Sequence, residues 1–155
     1  MSEDKGVMTL LEALTQVRKR TDFRMTFVGG GMEDYVAKMH TFVQEHELAA
    51  QVHFAGRVPY AEVSRFMTTH DILIFPSAWP EPFGLSHLEA LASGMFVVGT
   101  AVGGIRELLE VPDVYMKVFP PGDAEACAEA LCSLVDDQDQ ERPRFEASTH
   151  KVRAF

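Results

Sequence analysis

Apolar positions along the chain follow two spacings, and the two alternate from one end of the sequence to the other. Short apolar runs bounded by glycine, proline or polar residues predict buried strands, at 24–28, 51–55, 72–75, 96–99 and 115–119. Apolar residues three and four positions apart predict helices between them, at 6–20, after the glycines 29–31, at 60–69, from 83 or 84, at 105–109, at 124–135 and from 145 onward. Strands without a polar face that alternate with helices predict an α/β fold, a Rossmann-like parallel sheet with helices on both faces.

Ligands of such a sheet bind beyond the carboxyl ends of its strands, so the segments that follow the strands are the first candidates for a site. Residues 29–31 are three glycines after the first predicted strand, which indicates a tight turn with close backbone approach. They do not form the dinucleotide-binding fingerprint, because residues 32–35 lack its third glycine. The loop 56–59 follows the second strand, and Glu81 follows the third. We expect these segments to meet at one edge of the sheet.

The stretch 75–94 carries the densest set of chemical features. Three prolines stiffen a loop, and a helix is expected to begin near Phe83 or Gly84, where unpaired amides and the helix dipole form an anion site. Glu81 lies just before this helix, and Glu89 lies about 7 to 8 Å along its axis from Gly84, roughly the reach from a diphosphate to its ribose. Two carboxylates beside an anion site favour a ligand that carries hydroxyl groups on both sides of its phosphates.

Composition and charge narrow the classes of function. The chain has 155 residues, 46% hydrophobic and 24% charged, as expected for one globular domain, and its net charge of −9 argues against nucleic acid as the main partner. Cys127 and Cys132 fall on different faces of one predicted helix, so we expect free thiols and a cytoplasmic location. No apolar run approaches a membrane span, and the N-terminus does not read as a signal peptide. Asp136 and Asp137 continue into a polar stretch, which we interpret as a solvated linker rather than a metal site.

The stretch 75–94 closely resembles the donor-site motif of the retaining glycosyltransferases of the GT-B fold, above all glycosyltransferase family 4. The family carries Glu-x7-Glu within a Glu-Pro-Phe-Gly-Leu-x3-Glu-Ala-x-Ala-x-Gly context, and here the motif runs from Glu81 to Gly94. Two glutamates at this spacing are common by themselves, but the Pro-Phe-Gly-Leu insert and the tail make the match specific. Phe96 stands where the family usually has proline, which we interpret as a difference in packing.

The resemblance implies a role for each residue that matches the family pattern. The substrate would be a UDP- or GDP-linked sugar, with no metal and no other cofactor. The implied catalytic residue is Glu81, which would hold hydroxyls of the transferring hexose. The other implied positions bind the rest of the donor. The diphosphate would be bound by Lys5 and by the helix-terminal amides of Phe83, Gly84 and Leu85, and the ribose by Glu89. The turn at Gly30 would line the cleft, and the loop with Arg57 and Val58 would contact the base largely through its backbone.

The resemblance covers nearly the whole chain, but only the second, donor-binding half of a GT-B enzyme. In the family a strand ending in Gly-Arg precedes the lysine-bearing helix and lies at the centre of the sheet, and residues 1–4 do not supply it. We therefore expect a gap at the centre of the sheet, with exposed strand edges that invite self-association. The implied partner is an acceptor-binding N-terminal domain, so we expect a fragment, a truncated frame or a subunit completed by another chain. Peripheral membrane association would come through that other half.

Two other functions fit the same residues. A non-catalytic module could hold a nucleotide sugar without transferring it, since such a module can lose the acceptor half and keep Lys5, Glu81 and Glu89. Part of a sugar-nucleotide epimerase of GT-B fold is the second alternative, which the Pro-Phe-Gly-Leu context disfavours. His87, on the glutamate-bearing helix, is a weaker candidate for an acid or base.

Overall fold

The structure of the protein is a computed structural model that describes residues 1–80, 82 and 84–154. Two predicted site residues, Glu81 and Phe83, and the last residue, Phe155, lie outside the described residues. The strands are β1 (Met25–Val28), β2 (Val52–Gly56), β3 (Ile72–Phe75), β4 (Phe96–Gly99) and β5 (Lys117–Val118). The helices are α1 (Val7–Val17), α2 (Glu33–Glu45), α3 (Tyr60–Thr69), α4 (Leu85–Ser93), α5 (Ile105–Glu110), α6 (Ala124–Asp136) and α7 (Gln138–Arg153), and a 3-10 turn (Glu3–Lys5) precedes them.

All strand pairs are parallel, which confirms the predicted α/β fold. β1 pairs with β2 in one sheet, and β3, β4 and β5 pair in that order in a second sheet. Within the described ranges no strand pairing joins β1 to β3, so the sheet is interrupted at its centre, as the resemblance predicted. A side-chain hydrogen bond of 3.0 Å between His70 Nε2 and the Thr26 hydroxyl connects the two sheets at this interruption.

β4 is the best-enclosed strand. All four of its residues, Phe96–Gly99, are buried, and alternate residues of a strand point to opposite faces, so both faces are covered. α4 and α6 each pack against β4, and they are backed by α7 and α1 respectively. Phe96 contacts Phe145 of α7 edge to face, with ring centroids 4.6 Å apart. These contacts confirm the prediction of helices on both faces.

The sheet formed by β1 and β2 is less enclosed. Phe27 and Phe54 stack across it with ring centroids 5.3 Å apart, and His40 of α2 contacts the Phe54 ring at 4.2 Å. Phe27 is buried, whereas Val28 at the end of the same strand is 36% exposed. The buried side chains of α2 recur at the spacing of one helix face, and they are Tyr35, Met39 and Val43.

Two predictions for the C-terminal third were wrong. The polar stretch from Asp136 was expected to be a linker with the next helix from 145, whereas α6 ends at Asp136 and α7 already begins at Gln138. Tertiary contacts hold the early turns of α7, since Lys117 Nζ lies 3.2 Å from Glu141 Oε1. The last strand, expected at 115–119, covers only two residues, because the Tyr115 amide donates to Ser148 Oγ of α7 instead of to a strand.

Both cysteines are buried free thiols, as predicted. Burial raises the pKa of Cys127 to about 12, so this thiol stays protonated and unreactive at neutral pH. The helices among the described residues are all too short or too polar to cross a membrane.

Candidate functional site

The loops after β1 and β2 meet at the carboxyl edge of their sheet. The Gly29 amide donates at 2.7 Å to the carbonyl of Gly56, the last residue of β2, which continues the strand ladder one residue beyond the end of β1. A Cβ on Gly30 would lie 2.5 Å from Arg57 Nε and 2.7 Å from its Cγ, so the glycine allows the Arg57 side chain to cross the turn. Arg57 is exposed, and Val58 beside it is half-buried. The structure thus makes neighbours of three residues that the sequence assigned to two separate segments.

Lys5 lies at the carboxyl end of β3. Its Nζ is 5.9 Å from the ring centroid of Phe75, the last residue of that strand. Gly6, which follows it, has φ of 65° and packs so closely that a Cβ there would overlap the carbonyl of Pro76. Any other residue at this position would push the start of α1 away from the loop that follows β3.

The loop after β3 is fixed by hydrogen bonds on two sides. The Asp4 carbonyl accepts from the amides of Ala78, at 2.8 Å, and Trp79, at 3.2 Å. Ser77 is fully buried between them; its hydroxyl donates to the Asp4 carbonyl at 3.3 Å, and its own carbonyl accepts from the Thr100 hydroxyl. These contacts join residues 1–6 and the beginning of the loop into one packed unit.

Residues 1–6 also contact the turn that follows β1, at the end of the two-stranded sheet. The Met1 amino group donates to the Gly30 carbonyl, and a Cβ on Gly31 would overlap the backbone of Met1. Together with the contacts at Asp4 and Gly6, this makes the segment a bridge between the carboxyl ends of β1 and β3.

Gly84 sets the start of α4. It has φ of 62°, and its carbonyl accepts from the amides of His87, at 2.9 Å, and Leu88, at 3.3 Å. The positive φ favours glycine at this N-cap, and a Cβ there would also overlap the end of the Ile105 side chain. Leu85 begins the helix with its side chain 66% exposed. The predicted helix start is confirmed, and the first amides of such a helix have no partner within it.

His87 lies in the first turn of α4 and is fully buried. Its ring contacts Phe75 edge to face, with centroids 4.6 Å apart. The imidazole thus packs against the end of β3, away from solvent.

Glu89 is bound by a residue that the sequence analysis missed. The Tyr60 hydroxyl donates to Glu89 Oε1 at 2.5 Å, and this bond joins the start of α3 to α4. The hydrogen bond and the charge of Glu89 raise the pKa of the Tyr60 hydroxyl. The Tyr60 side chain is 78% exposed. The one feature of the sequence that could have marked Tyr60 as a site residue was its position directly after the loop 56–59.

Other candidates for a ligand site are weaker. A cavity of about 360 Å³ lies at the opposite, amino ends of β3 and β4, lined in part by His70, Asp71 and Arg142. None of the predicted site residues that the structure describes borders it. Asp136 forms an ion pair with Arg20 at 2.9 Å and is exposed, in keeping with a solvated position. Across the described part of the chain, no three His, Cys, Asp or Glu side chains are grouped so that they could hold a metal ion.

The parallel strands, the glycine turns at their carboxyl ends and the position of Lys5 at the end of β3 define a Rossmann-like α/β domain of the GT-B type. The family is now established as well: the chain belongs to the glycosyl transferases group 1, whose family model matches residues 1–152.

The chain is similar to named glycosyltransferases in sequence and structure. It is 32% identical over 144 residues to the phosphatidyl-myo-inositol mannosyltransferase of Mycolicibacterium smegmatis, covering 92% of this chain and 36% of that protein. It is 27% identical to HepE of Anabaena, crystallised in complex with UDP and glucose, with a TM-score of 0.86 over 97% of this chain and 40% of that one. The crystallised C-terminal domain of the group 1 protein LpcC from Francisella tularensis has the same fold, with a TM-score of 0.87 at 23% identity.

The chain spans about two fifths of the length of the full-length relatives, 36% of the mannosyltransferase and 40% of HepE. It covers 80% of the LpcC domain. The similarity therefore establishes the family and the fold, and the roles of the individual site residues stay predictions.

Proposed function

We propose that this chain is the donor-binding part of a retaining hexosyltransferase of glycosyltransferase family 4, with a UDP- or GDP-linked sugar as its donor. The observation that carries the proposal is the position of Lys5 at the carboxyl end of β3, in the same unit as the loop that leads to the α4 N-terminus. A lysine and helix-terminal amides are the groups that bind a diphosphate without a metal ion. The bound UDP of the similar HepE structure supports the choice of ligand.

In the proposed reaction, negative charge grows on the diphosphate as the glycosidic bond breaks. The amides of Phe83, Gly84 and Leu85 stabilise that charge together with Lys5. Gly84 and Leu85 are already held at the start of α4 before the reaction begins. Glu89 orients the ribose, and Glu81 holds hydroxyls of the sugar and stabilises its oxocarbenium-like centre. The acceptor attacks from the face that the diphosphate leaves, so the configuration is retained. This scheme differs from glycosidase double displacement, in which a carboxylate nucleophile lies about 5 Å from its acid partner.

We propose that an acceptor-binding half completes the enzyme in the cytoplasm, either within a longer polypeptide or on a partner chain, and that this half carries any contact with a membrane. The short span of the relatives that this chain covers supports this arrangement. The interrupted sheet supports it too, because the unpaired edges of β1 and β3 are surfaces on which chains associate.

The test is a titration of the chain with UDP and with GDP, followed by amide NMR correlation spectra. We expect the amides of Gly30, Gly84 and Leu85 to shift with one nucleotide. The amides around Leu48, in the turn between α2 and β2 at the amino end of the sheet, serve as an internal control and should stay in place. Shifts confined to the cavity near Arg142, or no shifts with either nucleotide in a folded chain, would contradict the proposal.

A non-catalytic nucleotide-sugar module is the second candidate, because this chain corresponds to only part of its catalytic relatives. Transfer by the protein that carries both halves separates the two. Glu81→Gln should reduce transfer at least about 100-fold, with a much smaller loss of nucleotide affinity. A two-half protein that binds the donor without transferring it would favour the module, and one that inverts C4 or C2 of the donor sugar would identify an epimerase.

A further inference from the structure

We infer that Tyr60 is a positioning residue of the donor site: its hydroxyl holds Glu89 in the orientation that selects a ribose over a deoxyribose. The inference rests on the proposed function, in which Glu89 receives the ribose hydroxyls. It adds a residue that no motif in the sequence marks.

The geometry of the Tyr60–Glu89 pair fits this role. The hydroxyl donates to Oε1 alone, at 2.5 Å. Among the described residues, none bonds Oε2 of Glu89, and a carboxylate accepts through both oxygens. Tyr60 therefore fixes the carboxylate plane through one oxygen and leaves the other for a ligand.

The location of Tyr60 couples two parts of the site. Its backbone begins α3 directly after the loop at Arg57 and Val58, which is the proposed base contact. Its hydroxyl bonds Glu89 on α4, which lies 29 positions further along the sequence. Tyr60 consequently links the loop proposed to contact the base to the carboxylate proposed to bind the ribose.

The Tyr60 ring itself contributes little to the core. Its side chain is 78% exposed, so its truncation at the hydroxyl leaves no buried cavity and no buried group without a partner. Its pKa is raised by Glu89, so the hydroxyl remains a donor at neutral pH. The hydroxyl can thus be removed without disturbing the fold, which makes the inference directly testable.

The experiment compares Tyr60→Phe with the unchanged chain by calorimetry. The ligands are the nucleoside diphosphate that binds more tightly, UDP or GDP, and its 2′-deoxy analogue. We expect the variant to lose about 3- to 10-fold in affinity for the ribonucleotide and less than about 2-fold for the deoxy analogue, so that the preference for ribose falls. In a Glu89→Gln background the same substitution should have no further effect.

Tyr115→Phe is the matched control, because Tyr115 also bonds a glutamate, Glu141, and the pair lies at β5 and α7 rather than at the site. It should leave both affinities unchanged. Equal losses for both ligands in Tyr60→Phe would show a non-specific structural role, unchanged affinities would show no role, and tighter binding would show that the hydroxyl competes with the ribose; each would overturn the inference.

The same titrations separate this inference from the proposed function. If the unchanged chain binds the ribonucleotide with a preference for ribose and Tyr60→Phe retains that preference, the inference alone fails. If the unchanged folded chain binds neither nucleotide, the proposed function fails and the inference fails with it.

Discussion

The two sheets of this domain differ in how they are held and in what they carry. The three-stranded sheet has β4 buried on all four residues between two pairs of helices, and the start of α4 and Glu89 are built on it. The two-stranded sheet packs through the Phe27–Phe54 stack and α2 and ends with Val28 partly exposed, yet it carries the Gly30 turn and the Arg57 loop. The proposed phosphate and ribose contacts thus lie on the better-packed sheet and the base contacts on the other. A complete site requires that the two sheets keep their relative position.

Specific polar and backbone contacts keep this position, in addition to the apolar core that the two sheets share. Residues 1–6 touch both carboxyl edges, His70 bonds Thr26 across the interruption, and Tyr60 bonds Glu89. Such contacts can be removed individually, so substitutions can test whether nucleotide binding is lost while the domain remains folded.

The largest effect is expected from Gly6→Ala, which acts on the bridge between the sheets. The positive φ and the overlap with the Pro76 carbonyl should together lower the free energy of unfolding by about 2–4 kcal/mol. Gly122→Ala is the matched control, since Gly122 also has a positive φ, 78°, but no atom lies near the added Cβ. It should cost about 1–2 kcal/mol, the backbone strain alone. Equal losses in urea unfolding of the two variants would show that the Pro76 contact does not constrain Gly6.

A second pair of variants compares the two sheets directly. Val97→Ala in β4 removes two methyl groups from a fully buried position and should cost about 2 kcal/mol. Val28→Ala in β1 makes the same change at a position that is 36% exposed and should cost less than about 1 kcal/mol. Denaturant midpoints at equal unfolding slope give both values. If Val28→Ala proved the more costly, the two-stranded sheet would be the better-packed one.

The smallest effect concerns pH and the end of the three-stranded sheet. Burial alone would raise the pKa of Glu141, but hydrogen bonds from Lys117 and Tyr115 outweigh it and lower the pKa. A carboxylate with a lowered folded pKa stabilises the fold above its unfolded pKa of about 4.3, and the gain disappears as the pH falls through the folded value. Glu141→Gln should therefore be less stable by under about 1 kcal/mol at neutral pH and equal to the unchanged chain near pH 2. A difference that persisted in acid would assign the effect to packing instead of charge.

Most of the fold could be predicted from the sequence because local signals mark its elements. The bounds of α3, β3 and β4 match the prediction, since proline, aspartate or glycine flanks each apolar segment. The start of α7 could not be predicted, because residues 138–144 have no apolar periodicity and include Pro143. Contacts distant in sequence, such as that of Lys117 with Glu141, hold that turn in the helix.

The candidate site was predictable to the extent that it lies in continuous motifs. Lys5, Gly84 and Glu89 were marked by their own segments, and the structure describes all three at the carboxyl side of the fold. Tyr60 was not predictable, because its bond to Glu89 joins residues 29 positions apart and depends on how α3 packs against α4. Glu81 and Phe83 remain predictions outside the described residues.

The anchored loop after β3 also provides an optical probe. Trp79 is the one tryptophan of the sequence, and its amide is held by the Asp4 carbonyl while its side chain is 55% exposed. Indole emission is sensitive to the polarity around the ring, so the tryptophan fluorescence of the unlabelled chain reports on this loop. Events at the carboxyl edge of β3 can therefore be followed in time by a single native tryptophan.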